Sequence, residues 1–246
     1  MKKEKALKNL NPIFLKGIAH RGLHTSEFTE NGMNAFKNAI DKGIAFELDV
    51  HLTKDNQLIV CHDDDLKRTT GKEGIIEELT VEEIKSSYRL LDGGEVPTLK
   101  EVMELNKEKV PMVIELKVRN RNYKPLAKRL VEELKDVKDY KNYHLISFDP
   151  RALYFTRKTK FINSLLVTKS HIWTYHFRFF FDSLDLEYTM TKEKRVRRYA
   201  KNHLLNVWTI DSKENFDEVY DVVDTVTFQL MDENYVLSKL KDKNFK

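Results

Sequence analysis

The sequence predicts an α/β fold: a (β/α)8 TIM barrel with a small insertion after the second strand. Three observations lead there. Strand-like apolar segments alternate with segments of helical period, and the alternation runs through eight rounds in 246 residues. That length suits a single α/β barrel domain, so one domain over 1–246 is expected. A ninth strand-like segment lies too close to the second to be reached by a crossover, which marks an excursion from the ring. A doubly wound open sheet is the competing architecture, and eight β/α units in so short a chain favour the barrel.

The strand-like segments are 13–20, 44–51, 112–117, 143–148, 164–168, 185–189, 205–210 and 223–228. Between them, apolar residues recur at i, i+3/i+4 and i+7, the spacing of one helix face. The sets are Met33, Phe36, Ile40; Leu99, Val102, Met103; Leu126, Leu130, Leu134, Val137; Val196, Tyr199, Ala200, His203; and Phe216, Val219, Tyr220. The extra strand, 58–62, follows the second after only residues 53–57. A parallel crossover needs about a dozen residues, so these two strands pair antiparallel. Lys54-Asp55-Asn56 supplies hairpin turn residues. The insertion then runs over about 64–97 and holds one short helix, 80–88. Thr80 with Glu83 three residues on opens that helix as a capping box.

Composition narrows the function class. With 41% hydrophobic and 33% charged residues and a net charge of +4, the chain has a sizeable core and a well-charged surface. The mild basic excess gives no pointer to nucleic acid. The single Cys61 excludes an intrachain disulfide and a Cys-rich zinc site. No stretch approaches the ~18 apolar residues of a transmembrane helix, and 9–16 is too short and polar for a signal h-region. A cytoplasmic protein is expected. Eight glycines and five prolines are few; average usage would give roughly 17 and 12. None follows Gly94 and Pro150 respectively, so the second half of the barrel lacks the usual turn formers.

Chemistry concentrates on the inner faces of the early strands. With period two, Glu47, Asp49 and His51 share one face of the second strand, while Phe46, Leu48, Val50 and Leu52 share the other. The apolar set should pack on the outer helices, which sends the carboxylates inward. Glu115 and Lys117 repeat the pattern on the next barrel strand. Three carboxylates inside one barrel cost several kcal/mol each unless they are paired or bind a metal.

The ordered set His20-Arg21-Gly22, Glu30-Asn31, Glu47-x-Asp49-Val50, Thr53-x-Asp55, His62-Asp63 and Glu115-x-Lys117 resembles the glycerophosphodiester phosphodiesterase family. Leu66-x-Arg68-Thr69-Thr70-x-x-x-Gly74, Val96-Pro97-Thr98-Leu99 and Val207-Trp208-Thr209 extend the resemblance over nearly the whole chain. It implies the barrel with its small insertion, and a hydrolase releasing sn-glycerol 3-phosphate and an alcohol from a small glycerophosphodiester. It matches Glu47, Asp49 and Glu115 to metal ligands for one divalent cation. An all-carboxylate set suits Mg²⁺ or Ca²⁺ and not zinc. It matches His20 and His62 to an acid/base pair, a task suited to imidazole. Arg21, Lys117 and Trp208 match substrate-binding positions. The mechanism it implies is attack by a glycerol hydroxyl, a cyclic phosphate, and ring opening by water. A lysophospholipase D-type hydrolase on the same site and a degenerate barrel that only binds ligand are the alternatives.

Other residues read more plainly. His51 is a strand-end histidine and His24 an exposed loop residue. Asp64 and Asp65 belong to a solvated loop, whereas Asp63 is placed to orient His62. Cys61 is a small apolar filler. The basic run 192–201 is a solvated helix face, with a weak membrane-surface contact as the lesser reading. Segment 171–181 crowds Ile172, Trp173, Tyr175, Phe177, Phe179, Phe180 and Phe181 into the loop after the fifth barrel strand. The plain reading is a helix docking its aromatics on the barrel, and the functional one is an apolar wall of the site. Two stretches depart from the family pattern. Thr29-Glu30-Asn31-Gly32 stands where the family has Pro-Glu-Asn-Thr. Of the usual closing Gly-x-Asp-Gly-x-x-Thr-Asp-x-Pro, only Asp224 survives within 222–231, and Asp211 stands where asparagine is usual. The sequence carries no signal for oligomeric state.

Overall fold

In a computed structural model, which describes residues 2–244, the strands are β1 Ile18–Ala19, β2 Ala45–Leu52, β3 Leu58–Val60, β4 Met112–Leu116, β5 Tyr143–Ser147, β6 Ile162–Val167, β7 Ser183–Glu187, β8 Leu204–Ile210 and β9 Thr225–Phe228. The hydrogen-bonded order is β1-β9-β8-β7-β6-β5-β4-β2, and β1 also pairs with β2, so eight parallel strands close into a barrel. The remaining strand, β3, runs antiparallel to β2 with His51 opposite Ile59, the hairpin that the short 53–57 gap requires. The helices are α1 Lys2–Lys8, α2 Met33–Asp41, α3 Lys67–Thr70, α4 Val81–Ser87, α5 Leu99–Asn106, α6 Tyr123–Glu133, α7 Pro150–Thr156, α8 Lys194–Ala200, α9 Lys213–Val219 and α10 Glu233–Asn244. Between β3 and α5 lie α3, a short 3-10 turn and α4, whose capping box forms as Thr80 and Glu83 specify. No helix among the described residues is long and apolar enough to cross a membrane.

The first strand is shorter than its apolar run suggested. Asn11 caps the N–H of Ile13 and Pro12 opens a 3-10 helix over Pro12–Lys16. A side-chain cap and a proline at the first helical position outcompete the extended conformation. The sixth barrel strand likewise begins at Ser183, two residues before the apolar segment 185–189, and 188–192 turns into a 3-10 helix.

Two packing layers follow from the strand alternation. Outward-facing Phe46, Leu48 and Val50 join Phe36, Ala39 and Ile40 of α2 in the main core, with the Phe36 and Phe46 rings 4.9 Å apart. Inside, Ile18, Ala45, Val113, Ile162 and Leu204 form an apolar layer, and Ala6, Leu10 and Phe14 from the N-terminal segment join it. The early carboxylates are therefore carried on strands fixed by apolar contacts on both sides.

A polar belt crosses the barrel beside that layer. His144 is buried and meets Ser164 Oγ at 2.5 Å, and Ser164 in turn bonds Ser183. Burial lowers the His144 imidazole to about 3, so the folded protein keeps it neutral where an unfolded chain would protonate it. This contribution is fully present above about pH 6.5. Below that it is lost at about 1.4 kcal/mol per pH unit until the folded value is reached. The denaturant midpoint of the parent relative to that of His144→Gln should therefore fall from pH 7 to pH 5, a difference that isolates this imidazole from the buried carboxylates Glu47, Glu115 and Asp185, whose raised values act in the opposite direction.

Candidate active site

Barrel register assembles the site. Asp49 on β2 is level with Glu115 on β4. Ala19 is level with Phe46, which brings His20 beside Glu47. Ligand atoms of Glu47, Asp49 and Glu115 all lie within 4.8 Å of one another, and all three residues are buried. The cavity there, of about 120 Å³, is lined by His20, Arg21, Glu47, His62, Glu115 and Trp208, among others. The sequence-predicted residues thus converge, with Asp49 and Lys117 held to the same cluster by ion pairs.

Electrostatics within the cluster are uneven. Lys117 Nζ stands 3.0 Å from Glu115 Oε1 and 3.4 Å from Asp49 Oδ1. Burial works against ionised Asp49, but Lys117, His62, Arg21 and a 2.9 Å bond from Asn31 outweigh it and hold the carboxyl well below its usual range. Glu47 accepts the Arg21 backbone N–H at 2.9 Å, yet burial and the neighbouring Asp49 and Glu115 charges push it well above the usual range. Burial raises Glu115 as well, against the pull of Lys117. Asp49 Oδ1 is buried and makes no hydrogen bond. Three buried carboxylates around one close lysine, with an Asp49 oxygen that Lys117 neighbours at 3.4 Å but that accepts no hydrogen bond, form the environment a divalent cation would correct. The all-oxygen donor set fits a hard cation.

The two histidines differ. His20 Nδ1 lies 2.6 Å from Gln229 Oε1 and its Nε2 lies 3.9 Å from Glu47 Oε2. Burial, aided by Arg21, lowers it to about 4. His62 is one-third exposed and pairs through Nδ1 with Asp63 Oδ1 at 2.7 Å. Burial lowers it too, while Asp49 and Asp63 favour its protonated form. Asp63 accepts from Arg68 at 2.6 Å, Arg68 donates to Glu30 at 2.8 Å, and Arg21 donates to Glu30 at 2.7 Å. This chain of charges ties His62 to Arg21 around the rim. His51, fully buried, meets the His62 carbonyl through Nε2 at 3.2 Å and so supports the His62 loop from beneath.

Gly22 is required where it stands. Its φ is +79°, and a Cβ would lie 2.9 Å from the Ala35 carbonyl carbon. Its N–H donates to the Glu47 carbonyl at 3.1 Å. Gly22→Ala should cost about 1–3 kcal/mol, read as a lower denaturation midpoint.

Several parts of the site were not singled out by sequence. Glu30 and Arg68 lie in the motifs, but their ion pairing across the rim links segments far apart in the chain. Gln229 lies in the atypical 222–231 stretch and reaches His20 because β9 neighbours β1. Asp185 on β7 lines the same cavity, fully buried, bonded by Asn206 at 2.9 Å and raised by burial to about 6. Its inward position on a strand was the available signal. Trp208 packs edge-on to Phe148 at 5.5 Å and donates to the Asp185 carbonyl at 3.2 Å. His24 is half-buried rather than exposed, with Nε2 enclosed, because the first loop folds back over the barrel end and carries it there. Cys61 is buried, and burial pushes its thiol up to about 12, which suits an inert filler. In the aromatic segment, a 3-10 helix over Ile172–Phe180, Tyr175 docks inward and so does the following Phe181, but Trp173, Phe179 and Phe180 are exposed.

Comparison with known proteins gives the family and supports the fold. Residues 20–231 match the model of the glycerophosphoryl diester phosphodiesterase family. A glycerophosphodiester phosphodiesterase of Caldanaerobacter subterraneus subsp. tengcongensis is 32% identical over 215 residues, covering 82% of this chain and 88% of the relative. The crystal structure of a glycerophosphodiester phosphodiesterase from Parabacteroides distasonis superposes with a TM-score of 0.76 at 27% identity, covering 92% of this chain and 96% of that one. An Oleispira antarctica phosphodiesterase in complex with the product sn-glycerol-3-phosphate shares the fold, with a TM-score of 0.78 at 22% identity, over 97% of this chain and 98% of its own.

Proposed function

This chain belongs to the glycerophosphoryl diester phosphodiesterase family, and from that premise we propose that it hydrolyses small glycerophosphodiesters to sn-glycerol 3-phosphate and an alcohol, with a divalent cation and a histidine acid/base pair. The observation that carries this reading is the buried Glu47, Asp49, Glu115 cluster with His20 and His62 on the same cavity. The intact cluster also speaks against a degenerate barrel that only binds ligand.

Glu47, Asp49 and Glu115 would hold the cation, Mg²⁺ or Ca²⁺ by donor chemistry. When bound, it would supply Lewis-acid stabilisation of the phosphate and lower the pKa of a coordinated hydroxyl. Arg21 and Lys117 bind the diester and offset the charge that develops on its oxygens. His20, kept neutral by burial, takes the proton of the glycerol hydroxyl that attacks phosphorus. His62, whose protonated form Asp63 favours, donates a proton to the departing alcohol. The product of this step is a cyclic phosphate. The two roles then reverse as water opens the ring. Trp208 and Phe148 give the cavity an apolar wall.

Release of sn-glycerol 3-phosphate from a panel of glycerophosphocholine, glycerophosphoethanolamine and glycerophosphoglycerol tests the reading. Turnover of at least one supports it; no release from any, by folded protein supplied with Mg²⁺ or Ca²⁺, overturns it.

A further inference from the structure

Exposed large apolar side chains are concentrated on one patch. Of the eight such residues among those described, Tyr154, Phe155, Trp173, Phe177, Phe179 and Phe180 belong to α7 and the 3-10 segment after β6. Trp173, Phe179 and Phe180 are 57%, 57% and 67% exposed. Scattered single apolar residues are ordinary on a protein surface, whereas a contiguous exposed group marks an interaction site. It adjoins the active site: Trp173 and Phe177 line a cavity of about 660 Å³ together with Glu115 and Lys117.

Cations are interleaved with the rings. Arg178 lies over the Phe179 ring at 3.9 Å and Arg157 over Tyr154 at 3.7 Å, while Arg151, over Tyr123 at 4.5 Å, is neutralised by Asp149 at 2.7 Å. Lys158, Lys160 and Lys169 lie in the same stretch of chain, 149–182, whose acidic residues are Asp149 and Asp182. Aromatic rings with an arginine fringe match the acyl–headgroup boundary of an anionic bilayer: rings enter the apolar edge and guanidinium groups meet lipid phosphates. A second copy of the chain fits less well. A two-fold contact through this patch would set its arginines against one another.

We propose that this aromatic and arginine patch docks the protein on an anionic lipid surface, with the mouth of the active site held beside the bilayer. This goes beyond the proposed hydrolysis and needs no turnover to be tested.

The full-length protein is mixed with vesicles of phosphatidylglycerol and with vesicles of phosphatidylcholine. The expected result is co-sedimentation with the former, weakened by salt, and a blue shift of tryptophan emission that Trp173→Phe removes. The double variant Phe179→Ser/Phe180→Ser should partition about tenfold more weakly or worse, yet turn over soluble glycerophosphocholine as the parent does. Arg157→Gln/Arg178→Gln should lose the preference for phosphatidylglycerol. Absence of sedimentation with either vesicle overturns the proposal. So does sedimentation that the ring variant leaves unchanged, or a blue shift produced only by self-association or by a monomeric single-chain lipid.

Discussion

Removing divalent cations by chelation and dialysis should reduce turnover about 10³-fold or more, and returning Mg²⁺ or Ca²⁺ should restore it. The size follows from several kcal/mol of charge stabilisation in the transition state, at about 1.36 kcal/mol per decade of rate. The same treatment should change stability. Cation at a hundred times its dissociation constant stabilises the folded state by about 2.7 kcal/mol, which for a domain of this size is a Tm rise of about 5–10 °C. Glu47→Gln separates the two roles of the cluster. Burial, Asp49 and Glu115 already disfavour an ionised Glu47, so the cation-free variant should be at least as stable as the cation-free parent. It should nevertheless lose the cation-dependent Tm rise together with turnover. Turnover that survives exhaustive chelation would overturn the cation site, as would a Tm rise of full size in Glu47→Gln.

What sequence could convey about this cluster was set by strand periodicity. Glu47 and Asp49 alternate with Phe46, Leu48 and Val50 on one strand, and that local pattern is enough to separate an inner from an outer face. The hairpin of β2 and β3 was equally legible, because five intervening residues leave no other geometry. The first strand was not, since its apolar run is shared between a proline-led 3-10 helix that closes the barrel floor and two residues of strand. The rim was only half legible. Glu30, Asp63 and Arg68 occur in recognisable motifs, but their pairing with Arg21 joins the first loop to the insertion. No local spacing encodes such a contact. Gln229 and Asp185 come from the half of the barrel that lacks glycine and proline, where the larger departure from the family pattern lies. They reach the cavity through ring closure and strand register. The missing turn formers therefore leave the inner face populated, and the far wall of the pocket is polar at Asp185 and Thr227 and aromatic at Trp208.

His20→Ala and His62→Ala should each lower turnover of glycerophosphocholine by about 10²–10⁴ in folded protein. Neither should cost much stability. The His20 imidazole is buried against its preference for water, and His62 is one-third exposed. The double variant should fall little further than the worse single one, because an acid and a base serving one transfer act as a unit. The two roles are separable by the leaving group. A departing choline needs a proton, whereas a departing nitrophenolate does not. If His62 is the acid, His62→Ala should approach the parent, within about tenfold, on a nitrophenyl diester of glycerol phosphate. His20→Ala should remain impaired on both substrates, since the attacking hydroxyl must still lose its proton. The structural basis is the different company the rings keep: a neutral Gln229 against His20, and the Asp63 carboxylate against His62. Asp63→Asn removes that carboxylate while keeping its shape, and should lower the pH at which turnover of glycerophosphocholine declines on the alkaline side. Rescue of His20→Ala by the nitrophenyl leaving group, with none for His62→Ala, would exchange the two assignments. Near-parental turnover of glycerophosphocholine by either single variant would remove that histidine from the mechanism.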